Sequence, residues 1–180
     1  MCGAISPSET EPALLTYGIA ELAFRRGESG TRLARLHQRA PLRVLFPADG
    51  ESGITTSVLV TTSGGLVGGD RLDVRVAAEE GAAVLVTTQA AEKVYRSLGD
   101  DCRVEVALSA EPGSWLEWLP HETILFEGAR LERITRIEHA PGARVLAGEM
   151  LVFGRHASGE RLTRGKLREA WEVRRQGRRP

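Results

Sequence analysis

A turn recurs along this chain with the same chemistry, and it limits the folds open to it. The segments EEGAAVLVTT at 79–88, EPGSWLEWLP at 111–120 and APGARVLAGE at 140–149 each carry an acidic or Pro-Gly turn followed by an alternating run. Their turn glycines are Gly81, Gly113 and Gly142, and a fainter copy, ESGITTSVLVTT, turns at Gly53, giving separations of 28, 32 and 29 residues. A period of this length, built from alternating segments without helical spacing between them, points to units that bury their apolar faces on one another. The same spacing is compatible with an up-and-down barrel or a sandwich. The repeated turn favours an all-β fold, a β-helix-like stack of short strands and hairpins.

Stacking predicts rows of side chains. Counting seven residues on from each glycine gives Thr88, Pro120 and Glu149; counting eight gives Gln89, His121 and Met150; counting fourteen gives Tyr95, Glu127 and His156. Polar and ionisable groups therefore recur in columns about 4.8 Å apart if the strands pair directly.

The glycine-rich TTSGGLVGGDRLDVRV at 61–76 invites a phosphate-binding reading and fails it twice. Gly64, Gly65, Gly68 and Gly69 lead to Asp70 rather than to Gly-Lys-Ser/Thr, and the run beyond Asp70 has period two, with Leu72, Val74 and Val76 on one face. A turn between strands is expected instead.

The 180 residues are 42% hydrophobic, enough for one domain with a sizeable core. Twenty-four basic residues balance twenty-four acidic ones, so no net field draws the chain to nucleic acid or anionic membrane. Two cysteines, Cys2 and Cys102, cannot build a disulfide framework or a CxxC zinc site, which suits a reducing cytoplasm. Residues 1–14 read as a flexible leader without a signal peptide, and 15–180 as one solenoid-like domain. The end, KLREAWEVRRQGRRP, reaches a Gln-Gly turn signal with no returning strand, and this predicts a stack left incomplete at its C-terminal side.

Signs of catalysis are sparse. There is no G-x-S-x-G elbow, and Ser63 and Ser97 lie in polar turns where serine is ordinary. His37, His121, His139 and His156 lack metal-site spacing. His121 and Glu122 stand out within WLPHETILFEG, because adjacent residues of a strand face opposite ways and one of the two must meet the apolar side. A hydrogen-bonded strand-end pair is the plain alternative. Glu92, Lys93, Tyr95 and Arg96 form either a docking rim for a partner or ordinary charged surface.

Four blocks, SGGLVGGDRLDVRV, TTQAAEKVYRS, WLEWLPHETILFEGARL and GEMLVFGRHASGERLTRGKL, together resemble the UreD (UreH) family of urease accessory proteins from about residue 17 onward. The resemblance implies a right-handed all-β stack with no catalysis of its own and no tightly bound cofactor. It implies a cytoplasmic protein that binds urease apoprotein and the UreF and UreG partners, with nickel in transit to the urease active site. Asp70, His121, Glu122, Glu127, Glu149 and His156 are then candidates for a transient nickel path, and Glu92, Lys93, Tyr95 and Arg96 for partner contact. The family commonly has Gln where His121 stands, and its members continue for tens of residues past the equivalent of Pro180. The remaining alternatives are a β-helical carbohydrate-processing enzyme and a truncated, inactive family copy.

Overall fold

A computed structural model of the chain describes residues 16–48 and 53–175, apart from the His156 side chain; the leader and the closing turn signal lie outside the described residues. Strands β1 (Tyr17–Gly27) and β2 (Gly30–Arg39) form an antiparallel hairpin, followed by β3 (Leu42–Leu45) and β4 (Thr55–Thr61). Three coils then repeat the same path: β5 (Arg71–Ala78), β6 (Ala83–Thr88) and β7 (Glu92–Val94); β8 (Cys102–Ala110), β9 (Trp115–Trp118) and β10 (Thr123–Leu125); β11 (Arg130–His139), β12 (Arg144–Ala147) and β13 (Leu151–Phe153). A short 3₁₀ turn, His156–Ser158, precedes β14 (Lys166–Arg175). Among the described residues no helix is long and apolar enough to cross a membrane.

The first strands of the coils pair in parallel as one sheet in the order β14-β11-β8-β5-β1-β2, the second as β12-β9-β6-β4-β3, and the third as β13-β10-β7. The chain is thus a β-solenoid with three walls. The repeated turns are its corners rather than the tips of hairpins; the two antiparallel pairs, β1–β2 and β3–β4, lie at the N-terminal end.

Each corner closes by the same contact: Ala82 N donates to Glu79 O at 2.9 Å, Ser114 N to Glu111 O at 3.1 Å and Ala143 N to Ala140 O at 3.2 Å. Gly113 has φ +70°, and Pro112 before it and Pro141 before Gly142 supply the residue that a type II turn favours ahead of its glycine. Corners also bond rung to rung, with Gly81 N donating to Pro112 O at 3.1 Å and Ala140 N to Ala110 O at 2.8 Å. The separations of 32 and 29 read from the glycines are those of the second wall, where Ala83 faces Trp115 and Trp115 faces Arg144. The copy at Gly53 slips by one, because Thr55 faces Val84.

Alternation fixes what lies inside. Leu22, Val76, Leu108 and Ile137 stack as one inward row on the first wall, and Ala20, Val74, Val106 and Thr135 as the next. Leu116, Val84 and Val86 meet them from the second wall, and Leu66, Val94 and Leu125 complete the core. Truncating one such Leu to Ala is worth about 2–5 kcal/mol. Outward positions of the first wall form an ionic ladder through Arg71, Glu105, Arg136 and Glu172, each step of which contributes under about 1 kcal/mol at the surface.

Glycine is required differently at the corners and in the glycine-rich loop. A Cβ on Gly113 would meet only Gly81 backbone at 3.9 Å, so Gly113→Ala should cost about 1–2 kcal/mol from the left-handed backbone alone. At Gly65 (φ +141°) the same Cβ would lie 2.5 Å from the Tyr95 ring and 2.8 Å from Lys93 O, so Gly65→Ala should be the more destabilising, as urea denaturation of both variants would register.

Candidate functional site: an ionised interior

One inward row of the first wall breaks the apolar rule. It reads Leu72, Val104, Arg133, Glu169 from coil to coil, so charge replaces hydrocarbon towards the C-terminal end. The Arg133 side chain is 8% exposed. Its Nη2 lies 2.6 Å from Glu149 Oε2, its Nε donates to Glu169 Oε2 at 2.9 Å, and its Nη1 donates to Thr123 Oγ1 at 3.0 Å. Glu149, 5% exposed, also accepts from Trp118 Nε1 at 3.2 Å and Thr135 Oγ1 at 3.3 Å. The 2.6 Å contact is an ion pair without hydrogen-bond alignment, since neither Arg133 Nη2 nor Glu149 Oε2 has a hydrogen-bond partner. One guanidinium therefore serves two carboxylates. Burial, reinforced by the Glu149 charge and opposed by Arg133, pushes the Glu169 carboxyl up to about 7.

A cavity of about 70 Å³ runs beside this cluster, lined by Leu59, Thr61, Glu92, Thr123, Arg133 and Glu149 among others. At its other side β7 carries Glu92, whose Oε2 accepts from Thr61 Oγ1 at 2.5 Å. Burial raises this carboxyl above the ordinary range against the Thr61 and Lys93 N–H bonds that lower it. Leu59, Thr61, Thr88 and Glu92 also line an outer cleft of about 300 Å³ with Ser63, Gly64, Gly65 and Gln89, so Glu92 stands between interior and surface. Ser63 Oγ is buried there without a hydrogen-bond partner.

The residues singled out in the sequence are scattered relative to this interior. Glu149 lines it. Asp70 is 4% exposed, but its oxygens accept from Thr16 N at 3.0 Å and Val67 N at 2.9 Å, tying down the exit of the glycine-rich loop. Burial, helped by the Asp70 and Glu92 charges, pushes the neighbouring Cys102 thiol up to about 12, leaving it protonated and unreactive. His121 and Glu122 are solvent-accessible, with Nδ1 3.9 Å from Oε2, and come directly after Pro120, which lines the cavity. Glu127 is half-buried and caps a loop: Thr163 N and Oγ1 donate to it at 2.6 and 2.7 Å and hold its carboxyl down to about 2. His156 opens the 3₁₀ turn.

The column counted fourteen residues on does not exist, because the third wall runs one residue shorter than the second: Val94 faces Leu125 and Leu125 faces Phe153. Tyr95 therefore meets Phe126, with ring centroids 4.8 Å apart and edge to face, rather than Glu127. Its hydroxyl donates to Gly64 O at 3.0 Å. Of the residues read as a partner rim, Lys93 and Arg96 are exposed and Glu92 turns inward. Among the described residues no three His, Cys, Asp or Glu side chains converge to hold a metal ion.

Sequence reasoning missed Arg133 and Glu169. The signal was present in LERITRI, where Leu131, Arg133, Thr135 and Ile137 share the inward phase. Removing the shared cation by Arg133→Met should destabilise the chain by about 3–5 kcal/mol at pH 8, since it strands buried carboxylates. Because the Glu169 pKa is raised on folding, native stability from this group is complete below the ordinary glutamate value and lost as pH rises through about 7. The variant's deficit should accordingly shrink at pH 5, read from denaturation midpoints at the two pH values.

Residues 17–180 match the family described as UreD urease accessory protein. A urease accessory protein UreD of Magnetococcus marinus is 48% identical over 174 residues, covering 97% of this chain and 60% of that protein. One from Rhodopseudomonas palustris is 46% identical over 173 residues, covering 95% and 60%, and one from a Chelativorans species is 42% identical over 166 residues, covering 92% and 60%. The chain thus spans about 60% of the length of these relatives. On the family match over residues 17–180 and on these identities, the chain belongs to the UreD family of urease accessory proteins.

Proposed function

We propose that this chain acts in urease maturation as a non-catalytic scaffold that binds urease apoprotein with UreF and UreG and offers nickel a path towards the urease active site. The observation that carries the reading is the ionised interior. Burying carboxylates costs several kcal/mol each, and a solenoid core built only for stability would continue the apolar rows of its first coils. Glu92, Glu149 and Glu169 offer oxygen donors of the kind that hold divalent nickel, and they do so without a closed ligand cage, so an ion would be released as readily as it is taken up. Glu92 at the outer cleft would receive the ion and Glu149 would pass it on. His121 and Glu122 next to the cavity wall, Asp70 behind the loop, and Glu127 and His156 in the segments that follow the third-wall strands would serve only at its margins. Action in the cytoplasm is in keeping with the free, buried Cys102.

The test is co-expression of this chain with the urease subunits, UreF and UreG in cells lacking their own UreD protein. The expected result is that the chain co-purifies with urease apoprotein and that urease becomes active. Glu92→Gln combined with Glu149→Gln should keep co-purification and lower activation at least about tenfold, a loss of about 1.4 kcal/mol or more in delivery. Unchanged activation by the double variant would overturn the path, and failure of the unsubstituted chain to co-purify would overturn the scaffold.

A further inference from the structure

Charge is segregated along this chain in a way its zero net value hides. Residues 25–43 carry six arginines, Arg25, Arg26, Arg32, Arg35, Arg39 and Arg43, against the single acid Glu28; the other 161 residues hold 18 basic and 23 acidic groups. Among the described residues from Arg71 onward, ten arginines and Lys166 are in ion pairs. Among the described residues none of the six arginines of 25–43 pairs with a carboxylate; Arg39 lies over the Tyr17 ring at 5.3 Å and Arg43 donates to Leu42 O.

Register puts four of these charges, Arg25, Arg32, Arg35 and Arg39, on one face. Across the β1–β2 hairpin Arg25 faces Arg32, Ala23 faces Arg35, Glu21 faces His37 and Ile19 faces Arg39, while Phe24 and Leu22 face Leu33 and Leu36 on the inward side. Glu21 is engaged by Arg75 at 2.5 Å. Arginines set directly opposite one another are mutually destabilising without a counter-ion between them. Among the described residues β2 is also the outer strand of its sheet, with no strand paired to its far edge. Thr55 Oγ1 donates to the Thr31 backbone O at 3.0 Å at one end of β2, and at the other Val44 N donates to the Gln38 side chain at 2.9 Å, leaving the Gln38 backbone out of that bond. Between them Leu33 and Leu36 are 36% and 37% exposed.

We infer that this edge is a docking strand for an acidic, extended segment of a partner protein, which adds to β2 by backbone pairing. Carboxylates at alternate positions of the segment meet Arg35 and Arg39 across the strand, and apolar residues between them cover Leu33 and Leu36. Pairing of β2 with β2 of a second copy is disfavoured, since it would set the arginines of both edges against each other. The inference does not depend on the nickel path. Residues 32–39 would span about 26 Å of partner strand at the usual rise.

The experiment uses the full chain and a fluorescein-labelled, end-blocked peptide alternating glutamate and valine, followed by anisotropy. Controls are the same composition with its glutamates consecutive, and an oligothymidine. The expected result is saturable binding of the alternating peptide, at least about tenfold tighter than the permuted one. Binding should weaken by a similar factor between about 50 and about 300 mM salt and in Arg35→Glu/Arg39→Glu. Should that variant misfold, Arg35→Gln/Arg39→Gln reads the same loss. Equal binding of both peptides or of the oligothymidine would reduce the edge to a diffuse cationic patch and overturn the inference. So would self-association of the neutral variant without any peptide binding by the parent chain, since the arginines would then only guard an edge against its own kind.

Discussion

Parallel pairing in register is the constraint on which the rest of this molecule depends. Once Leu72, Val104 and Arg133 occupy one row, each residue's neighbours are set by its counterparts one coil away rather than by its neighbours in sequence. Such rows suit hydrocarbon, which stacks on itself without penalty, and suit alternating charge on the outside, where Arg71, Glu105, Arg136 and Glu172 bridge coil to coil. They are unforgiving of isolated charge within. Arg133 is tolerated because Glu149, Glu169 and Thr123 arrive from three different elements to meet it.

That arrangement is poised rather than fully satisfied. Two carboxylates share one guanidinium, and Glu169 keeps a proton towards neutrality as a consequence of its burial. On the same cavity, Glu92 is held by a threonine hydroxyl and a backbone N–H and, among the described residues, by no guanidinium or ammonium in hydrogen-bond contact. An interior of this kind costs stability compared with hydrocarbon, and that cost is what a route for a cation would require. The N-terminal hairpin presents the opposite imbalance: among the described residues its arginines pair with no carboxylate, and no strand covers the outer edge of β2.

Much of the stack was legible in the sequence because its corners repeat local chemistry. Pro112-Gly113 and Pro141-Gly142 specify their turns by themselves, and the alternation of Leu72, Val74 and Val76 gives the inward face of β5 directly. The rows of the second wall came by counting. Those of the third wall did not, because the connection between walls drops one residue from the period, and a slip of one moves Glu127 out of line with Tyr95 and brings in Phe126. The candidate site was harder for a related reason. Its members Glu92, Arg133, Glu149 and Glu169 come from four separated segments, and only the register between coils reveals that the first three border one cavity and that Glu169 pairs with Arg133. Glu92 lay within a charged stretch that read as surface, while Asp70, conspicuous beside its glycines, spends its oxygens on backbone N–H groups.

The central claim is that these carboxylates sit inside the stack and are held there by its register. Carboxyl-carbon NMR titration of Glu92 and Glu169 measures this most directly, with the loop-capping Glu127 as a reference outside the core. The account predicts three separated midpoints, with Glu127 near 2, Glu169 near 7 and Glu92 above the ordinary glutamate value. Three midpoints clustered at about 4.3, as for glutamates open to water, would contradict it.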